Sequence, residues 1–176
     1  MIQIRLIDAE SQGDIRLANE SFSLFGRLIP VYDGESWSWH SQLFPEEERS
    51  RMCFPDEAYD YEAMKEDHYF LGAYEDGRCV GLAILRQSWN RWLYLYDLKV
   101  QESCRRSGVG QALLNRAGAL ALEKGYLGLW TVGQDNNLAA CLFYLKQGFV
   151  IGGLDTHVSH GTSQQGKADI YFYKQY

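Results

Sequence analysis

The chain has 176 residues, 46% of them apolar and 14% aromatic, which is enough for one sizeable core and a single domain over 1–176. A net charge of −6 and four cysteines at least 25 residues apart exclude a nonspecific nucleic-acid binder, a zinc module and a disulfide scaffold, so no metal is expected and all four thiols are expected reduced. No run of eighteen apolar residues occurs, so no membrane partner is expected; residues 1–14 lack the basic-then-apolar order of a secretory leader, which predicts a cytoplasmic location.

Residues 3–8 alternate as a short opening strand. Over 14–54 the pattern is less regular and predicts helical stretches broken by Pro30, Gly34 and Pro45. Trp37 and Trp39 within it read as core packing, with a substrate lid as the alternative. Residues 45–67 carry nine carboxylates against three cations, which accounts for the whole net charge of the chain. That segment reads as a solvated acidic loop or as a local field that draws a cationic substrate.

From residue 68 the signals sharpen. Strands are predicted at 68–74 and 79–87, joined by Glu75-Asp76-Gly77-Arg78 with glycine placed for positive φ. Ser88-Trp89-Asn90-Arg91 turns the chain into a third strand at 92–100, completing an antiparallel meander. A polar loop over 101–107 then enters a helix running to about Lys124. Its Val109, Ala112, Leu113, Ala117, Leu120 and Ala121 follow the i, i+3, i+4 spacing of a buried face, and Gly125 follows it as a stop signal. Arg116 lies on the same stripe without an evident partner. A strand at 127–132, a helix at 137–147, a strand at 150–157, a Gly- and Ser-bearing loop at 161–166 and a closing strand at 169–176 complete an α/β order, with a mixed sheet covered by helices.

The chemistry-bearing segment is Arg105-Arg106-Ser107-Gly108-Val109-Gly110, between a strong strand and a strong helix. Glycines there let a ligand approach the backbone, and the first helical amides lack intrahelical acceptors. With the helix dipole and two arginines, they make a site for phosphate or diphosphate. A Walker loop is excluded because no Gly-Lys-Ser/Thr is present. A dinucleotide fingerprint is excluded because Leu113 stands where its third glycine belongs, and the strand at 127–132 ends without an acidic residue.

Arg105, Gly108 and Gly110 match the Arg/Gln-x-x-Gly-x-Gly/Ala cofactor loop of the GCN5-related N-acetyltransferase (GNAT) superfamily, which this sequence resembles. Leu98-Lys99-Val100 matches the end of the family's fourth strand, and Asn137, Ala140, Tyr144, Gly148 and Phe149 match its second block. The resemblance covers about 68–176 and leaves 9–67 as a variable substrate-side region. It implies a GNAT-type α+β fold: a mixed, mostly antiparallel sheet flanked by helices and splayed between the family's fourth and fifth strands. It also implies acetyl-CoA as cosubstrate, bound by Leu98, Lys99, Val100, Arg105, Arg106, Ser107, Gly108, Val109, Gly110, Gln111, Asn137, Ala140 and Tyr144, and it allows a homodimer.

Within the superfamily the chain is most similar to the streptothricin (nourseothricin) acetyltransferases. Three features carry this: Trp89-Asn90-Arg91, Asn136-Asn137-x-Ala139-Ala140-Cys141, and Gly153-Leu154-Asp155-Thr156 followed by Gly161-Thr162 and Ala168-x-x-Tyr171. Such enzymes acetylate an amine on the β-lysine part of a cationic antibiotic, which implies a small cationic amine as substrate here. The chain departs from them on the fourth strand, where Tyr96-Asp97 replaces their usual Glu-Asp pair.

The resemblance implies direct transfer, in which a neutral amine attacks a thioester and a backbone N–H holds the oxyanion. Asp97 is the candidate base, with simple charge pairing as the competing reading. Tyr144 is the candidate acid by motif position, against a role in the core. Asn137 bonds the cosubstrate's arm or caps a helix. Trp89, Tyr96 and Asp155 are candidate substrate contacts. His68, His157 and His160 have no serine or cysteine elbow with them and suggest no triad. Acetylation of a protein, peptide or polyamine, and a noncatalytic acetyl-CoA-binding module, are the alternatives.

Overall fold

A computed structural model describes all residues, Met1–Tyr176. In chain order the elements are β1 (Gln3–Leu6), β2 (Phe22–Leu24), β3 (Gly26–Tyr32), β4 (Trp37–Leu43), β5 (Ser50–Met52), α1 (Tyr61–Met64), β6 (His68–Glu75), β7 (Arg78–Arg86), β8 (Trp92–Val100), α2 (Val109–Glu123), β9 (Gly128–Gln134), α3 (Leu138–Lys146), β10 (Val150–Asp155) and β11 (Asp169–Gln175). Short 3-10 turns lie at Gln12–Arg16, Glu46–Glu48 and Glu102–Cys104. The chain divides into two compact units, one of 1–20, 53–129 and 175–176, the other of 21–52 and 130–174. No helix is long and apolar enough to cross a membrane.

In the first unit, β1, β6, β7 and β8 are neighbours in that order, and each pair is antiparallel. Strand β7 is buried on both faces. Its Leu82 and Ile84 join Ile7, Ile15, Tyr59 and Phe70 in one cluster. Its Gly81 lies against α2, where an added Cβ would come within 2.9 Å of Val109 and 3.1 Å of Leu113. The predicted stripe of α2 is therefore the buried one, with Val109, Leu113, Ala117, Leu120 and Ala121 joined by Leu114 and Gly118. Each fully buried leucine of this kind contributes roughly 1.5–3 kcal/mol. Arg116 has a partner after all, Glu123 two turns on, at 3.0 Å.

The pairing of β7 with β8 contains one irregularity that decides the site. Leu85 pairs with Leu95 and Ile84 pairs with Asp97, so Tyr96 is an extra residue opposite no partner. Paired residues point to the same face, and a bulge reverses the alternation beyond it. Leu95 thus shares the α2 face with Leu85. Asp97 and Lys99, paired to Ile84 and Leu82, are sent to the face of the Ile7, Ile15 and Tyr59 cluster.

In the second unit, β9, β11 and β10 are neighbours in that order, with β10 and β11 antiparallel, and two small ladders pair β2 with β5 and β3 with β4. The helical stretches expected over 14–54 are replaced by these strands. Trp37-Ser38-Trp39-His40-Ser41 has the alternation and aromatic content of a strand, and β3 supplies its partner. Pro30 is tolerated because the ladder has only two strands, so its missing N–H falls where no third strand pairs. Gly34, with φ of 99°, closes the hairpin, and Asp33 Oδ1 accepts the N–H groups of Glu35 and Ser36 at 2.9 and 2.7 Å. Trp37 and Trp39 are likewise not core residues. Trp39 is 44% exposed, and the pair lines a concavity of about 410 Å³ with Leu145, Phe149, Val150 and Ile151.

Candidate active site

Strand β8 ends at Val100, and the Gln101 N–H adds one more bond to its ladder with β7, to the Val80 carbonyl at 2.9 Å. Two residues of the following loop adopt left-handed backbone, Arg106 at φ 62° and Gly108 at φ 90°. Between them Ser107 donates its hydroxyl to the Cys104 carbonyl at 2.6 Å. Positive φ at a non-glycine residue costs on the order of 1–3 kcal/mol and gathers at ligand clamps. Helix α2 then starts, and its first backbone bond runs from the Ala112 N–H to the Gly108 carbonyl at 2.9 Å. The amides of Val109, Gly110 and Gln111 consequently have no helical acceptor. In front of Gly108 a Cβ would meet nothing within 4 Å.

These amides, the dipole of a fifteen-residue helix, the open approach at Gly108 and the exposed Arg106 fit an anionic ligand such as a diphosphate. Arg105 is used differently: its Nε donates to the Val100 carbonyl at 3.0 Å, and its guanidinium lies 3.9 Å from Glu20. Glu20 also accepts the Glu102 N–H. Arg105 therefore ties the loop to the end of β8, a task that the sequence did not reveal because Glu20 lies far away along the chain.

On the other face of β8 a charged network surrounds Asp97. Tyr59 donates its hydroxyl to Asp97 Oδ2 at 3.0 Å, and Lys99 Nζ lies 3.3 Å from the same oxygen. Lys99 Nζ is closer still to Glu57 Oε2, at 2.5 Å, and also donates to the Leu17 carbonyl at 3.3 Å. Burial pushes the Asp97 carboxyl above the usual carboxylate range, against the pull of Lys99 and Tyr59. Burial opposes ionisation at Glu57 as well, but the bonds from Lys99 and Asn19 outweigh it and hold that carboxyl below the usual range. The Tyr59 hydroxyl is pushed up by burial and by Asp97 and stays protonated. Tyr96, 40% exposed at the bulge, has the rings of Tyr59, His68 and Tyr94 within 6.2, 5.5 and 5.8 Å. Neither Glu57 nor Tyr59 was singled out from the sequence. A second carboxylate, that of Glu57, reaches this locus through Lys99. Trp89 stands 97% exposed in the turn before β8.

In the second unit, Asn137 caps α3 by accepting the Ala140 N–H at 3.3 Å. Tyr144 is buried on that helix with the rings of Phe143, Phe149 and Phe172 at 5.4–5.6 Å. Asp155 ends β10, two residues earlier than its sequence predicts, because its carboxylate accepts the N–H groups of His157 and Val158 at 2.8 and 3.0 Å.

Residues 34–149 match the model of the Acetyltransferase (GNAT) family. The chain belongs to the GNAT acetyltransferase family. Streptothricin acetyltransferase A of Bacillus subtilis (strain 168) is 31% identical over 163 residues, which are 93% of this chain and 94% of that one. Among solved structures, a Bacillus anthracis str. Ames protein assigned provisionally as a streptothricin acetyltransferase, in complex with acetyl coenzyme A, is similar with a TM-score of 0.86 and 26% identity, over 100% of this chain and 98% of that one. A nourseothricin acetyltransferase is similar with a TM-score of 0.80 and 26% identity, over 99% and 98%. The GNAT assignment makes the chain an acetyltransferase and agrees with its mixed α/β architecture.

Proposed function

We propose that this GNAT enzyme transfers acetyl from acetyl-CoA to a primary amine of a small cationic substrate of the streptothricin class. The observation that carries the reading is the end-to-end relation to streptothricin acetyltransferase A: a match over 93% of the chain takes in most of 9–67, the region where substrate differences are expected to collect. On the same ground the two compact units together make up one acetyltransferase domain.

Acetyl-CoA supplies a thioester carbonyl open to attack by a neutral amine. The α2 amides from Val109 to Gln111, with Arg106, Ser107 and Gly108, hold its diphosphate, and Arg105 fixes the loop that presents them. Backbone groups of Leu98, Lys99 and Val100, with Asn137 and Ala140, take the pantetheine arm by motif position. The substrate arrives as an ammonium, and Asp97 removes its proton. A carboxyl raised by burial is the stronger base, and Lys99 beside it favours its ionised form. The rings of Tyr94 and the more exposed Tyr96 suit a cation, that of Tyr59 being already engaged by the Lys99 ammonium. Trp89, Tyr96 and Asp155 are proposed to contact the rest of the substrate. Tyr144 supplies the proton to the departing thiolate.

A thiol-release assay with acetyl-CoA tests the reading on a streptothricin, polyamines, and peptides with free N-termini or lysines. Turnover with the streptothricin and a singly acetylated product are expected. Turnover of peptides or polyamines with none on the streptothricin would overturn the substrate class, and binding of acetyl-CoA without turnover of any amine would overturn the catalytic reading.

A further inference from the structure

The ammonium of Lys99 is shared unequally. It is buried, and its three acceptors are Glu57 Oε2 at 2.5 Å, Asp97 Oδ2 at 3.3 Å and the Leu17 carbonyl at 3.3 Å. Three N–H donors meet three acceptors, so the ammonium has none to spare. Glu57 wins the closest share although its side chain is 35% exposed, because it is held in place from behind. Asn19 donates its side-chain amide to Glu57 at 3.1 Å, and the Asn19 backbone N–H bonds Asp56 at 2.6 Å. Asp97, 17% exposed, keeps only the longer contact with Lys99 and the hydroxyl of Tyr59.

We propose that Glu57 is a positioning residue for Asp97: by drawing the Lys99 ammonium toward itself, it leaves the base only partly paired and sets the pH at which the enzyme can deprotonate its amine. The inference rests on the reading of Asp97 as the base. It adds a residue remote in sequence that acts on the base through Lys99.

The other groups around Asp97 leave this balance to Glu57 and Lys99. From its own strand come Tyr96 and Lys99, from β7 the apolar Ile84, and from the segment before α1 come Glu57 and Tyr59. Arg16 is engaged with the Tyr59 carbonyl at 2.9 Å, and His68 meets the edge of Tyr96. Lys99 brings the cation to Asp97, and Glu57 is the charged group that competes for it beside the neutral Leu17 carbonyl. Removing the charge of Glu57 leaves Asp97 as the one carboxylate beside the ammonium and deletes a nearby negative charge, and both effects favour the ionised Asp97. Removing the charge of Lys99 does the opposite.

The test is kcat/KM against pH for the wild type and for Glu57→Gln, Glu57→Asp, Lys99→Met and Asp97→Asn, with acetyl-CoA affinity and Tm recorded for each. Glu57→Gln is expected to move the acidic limb to lower pH by about one unit and to lower the plateau, since the better-paired carboxylate is the weaker base. Lys99→Met moves the limb to higher pH, and Glu57→Asp returns it toward the wild type. Should Glu57→Gln not fold, Glu57→Asp carries the test, its shorter carboxylate holding Lys99 less well and placing the limb measurably below that of the wild type. Loss of turnover in Asp97→Asn, with the limb unmoved in the Glu57 variants whatever Lys99→Met does, overturns the role of Glu57 and leaves the base in place. Wild-type turnover in Asp97→Asn removes the base reading, and this inference falls with it.

Discussion

At position 108 a single dihedral angle carries the proposed cosubstrate site. Gly108 stands at φ 90° with open space where a side chain would be, so an alanine there is strained without being crowded. Gly108→Ala is expected to cost about 1 kcal/mol in folding and, because its methyl would occupy the approach to the α2 amides, to weaken acetyl-CoA at least about tenfold by calorimetry. Unchanged affinity would mean that the diphosphate lies elsewhere. Tyr144 separates ring from hydroxyl. Its ring packs against three phenylalanines, so Tyr144→Phe keeps the packing and should leave Tm nearly unchanged. A proton donor at that hydroxyl predicts a fall in kcat of about a hundredfold with KM little altered. Equal kcat would return Tyr144 to the core. Asp97 shows the limit of residue-by-residue reading: strict alternation along 92–100 puts it on the face of Leu95, and the bulge at Tyr96 puts it on the other.

Among the elements, α2 is the one set mostly by local signals. Its stripe, its glycine-bearing start and the Gly125 stop all lie within a few residues of what they control, and the helix forms within two residues of its expected bounds. One position on it depends on the chain terminus. A Cβ at Gly118 would fall 2.1 Å from the ring of Tyr176, whose hydroxyl bonds the Leu114 carbonyl at 3.1 Å. Gly118→Ala should therefore destabilise by about 1–3 kcal/mol despite alanine's better helix propensity, and pairing it with Tyr176→Ala should recover part of the loss in denaturant melts. An unchanged melt would show that the ring moves aside freely. The β3–β4 hairpin is the opposite case. Pro30 and Gly34 read as helix breakers when no partner strand is in view, and they become an unpaired-edge proline and a turn glycine once β3 meets β4. The tryptophans of β4 are placed by that pairing as well.

For the molecule as a whole, acetyl-CoA bound only by the folded state should stabilise it by mass action. At a hundredfold excess over Kd the gain is about 2.7 kcal/mol, or roughly 5–10 °C in Tm for a chain of this size. A thermal melt without any shift would argue against binding at the α2 turn. The acidic segment at 45–67 also changes meaning at this scale. Glu57 is bound to Lys99, Asp56 to the Asn19 backbone, Asp60 caps α1 through the Ala63 N–H, and Asp67 meets His68 and Arg86. Much of the net charge of −6 is thus engaged in holding the protein together and is not simply solvated.

The sequence by itself determined what depends on neighbours within one turn or one strand: the meander from β6 to β8, the α2 stripe and the glycine-bearing turn that enters α2. These are decided by side-chain periodicity and by the few backbone angles that glycine permits. Only the tertiary structure decided the register of β7 on β8, and with it the face that Asp97 and Lys99 occupy, the partner of Arg105, and the meeting of Asp97 with Tyr59, 38 residues away, and of Lys99 with Glu57, 42 residues away. The reason is physical. A buried ammonium must find carboxylates wherever the chain can bring them, and which carboxylates those are is set by long-range packing that no local pattern encodes.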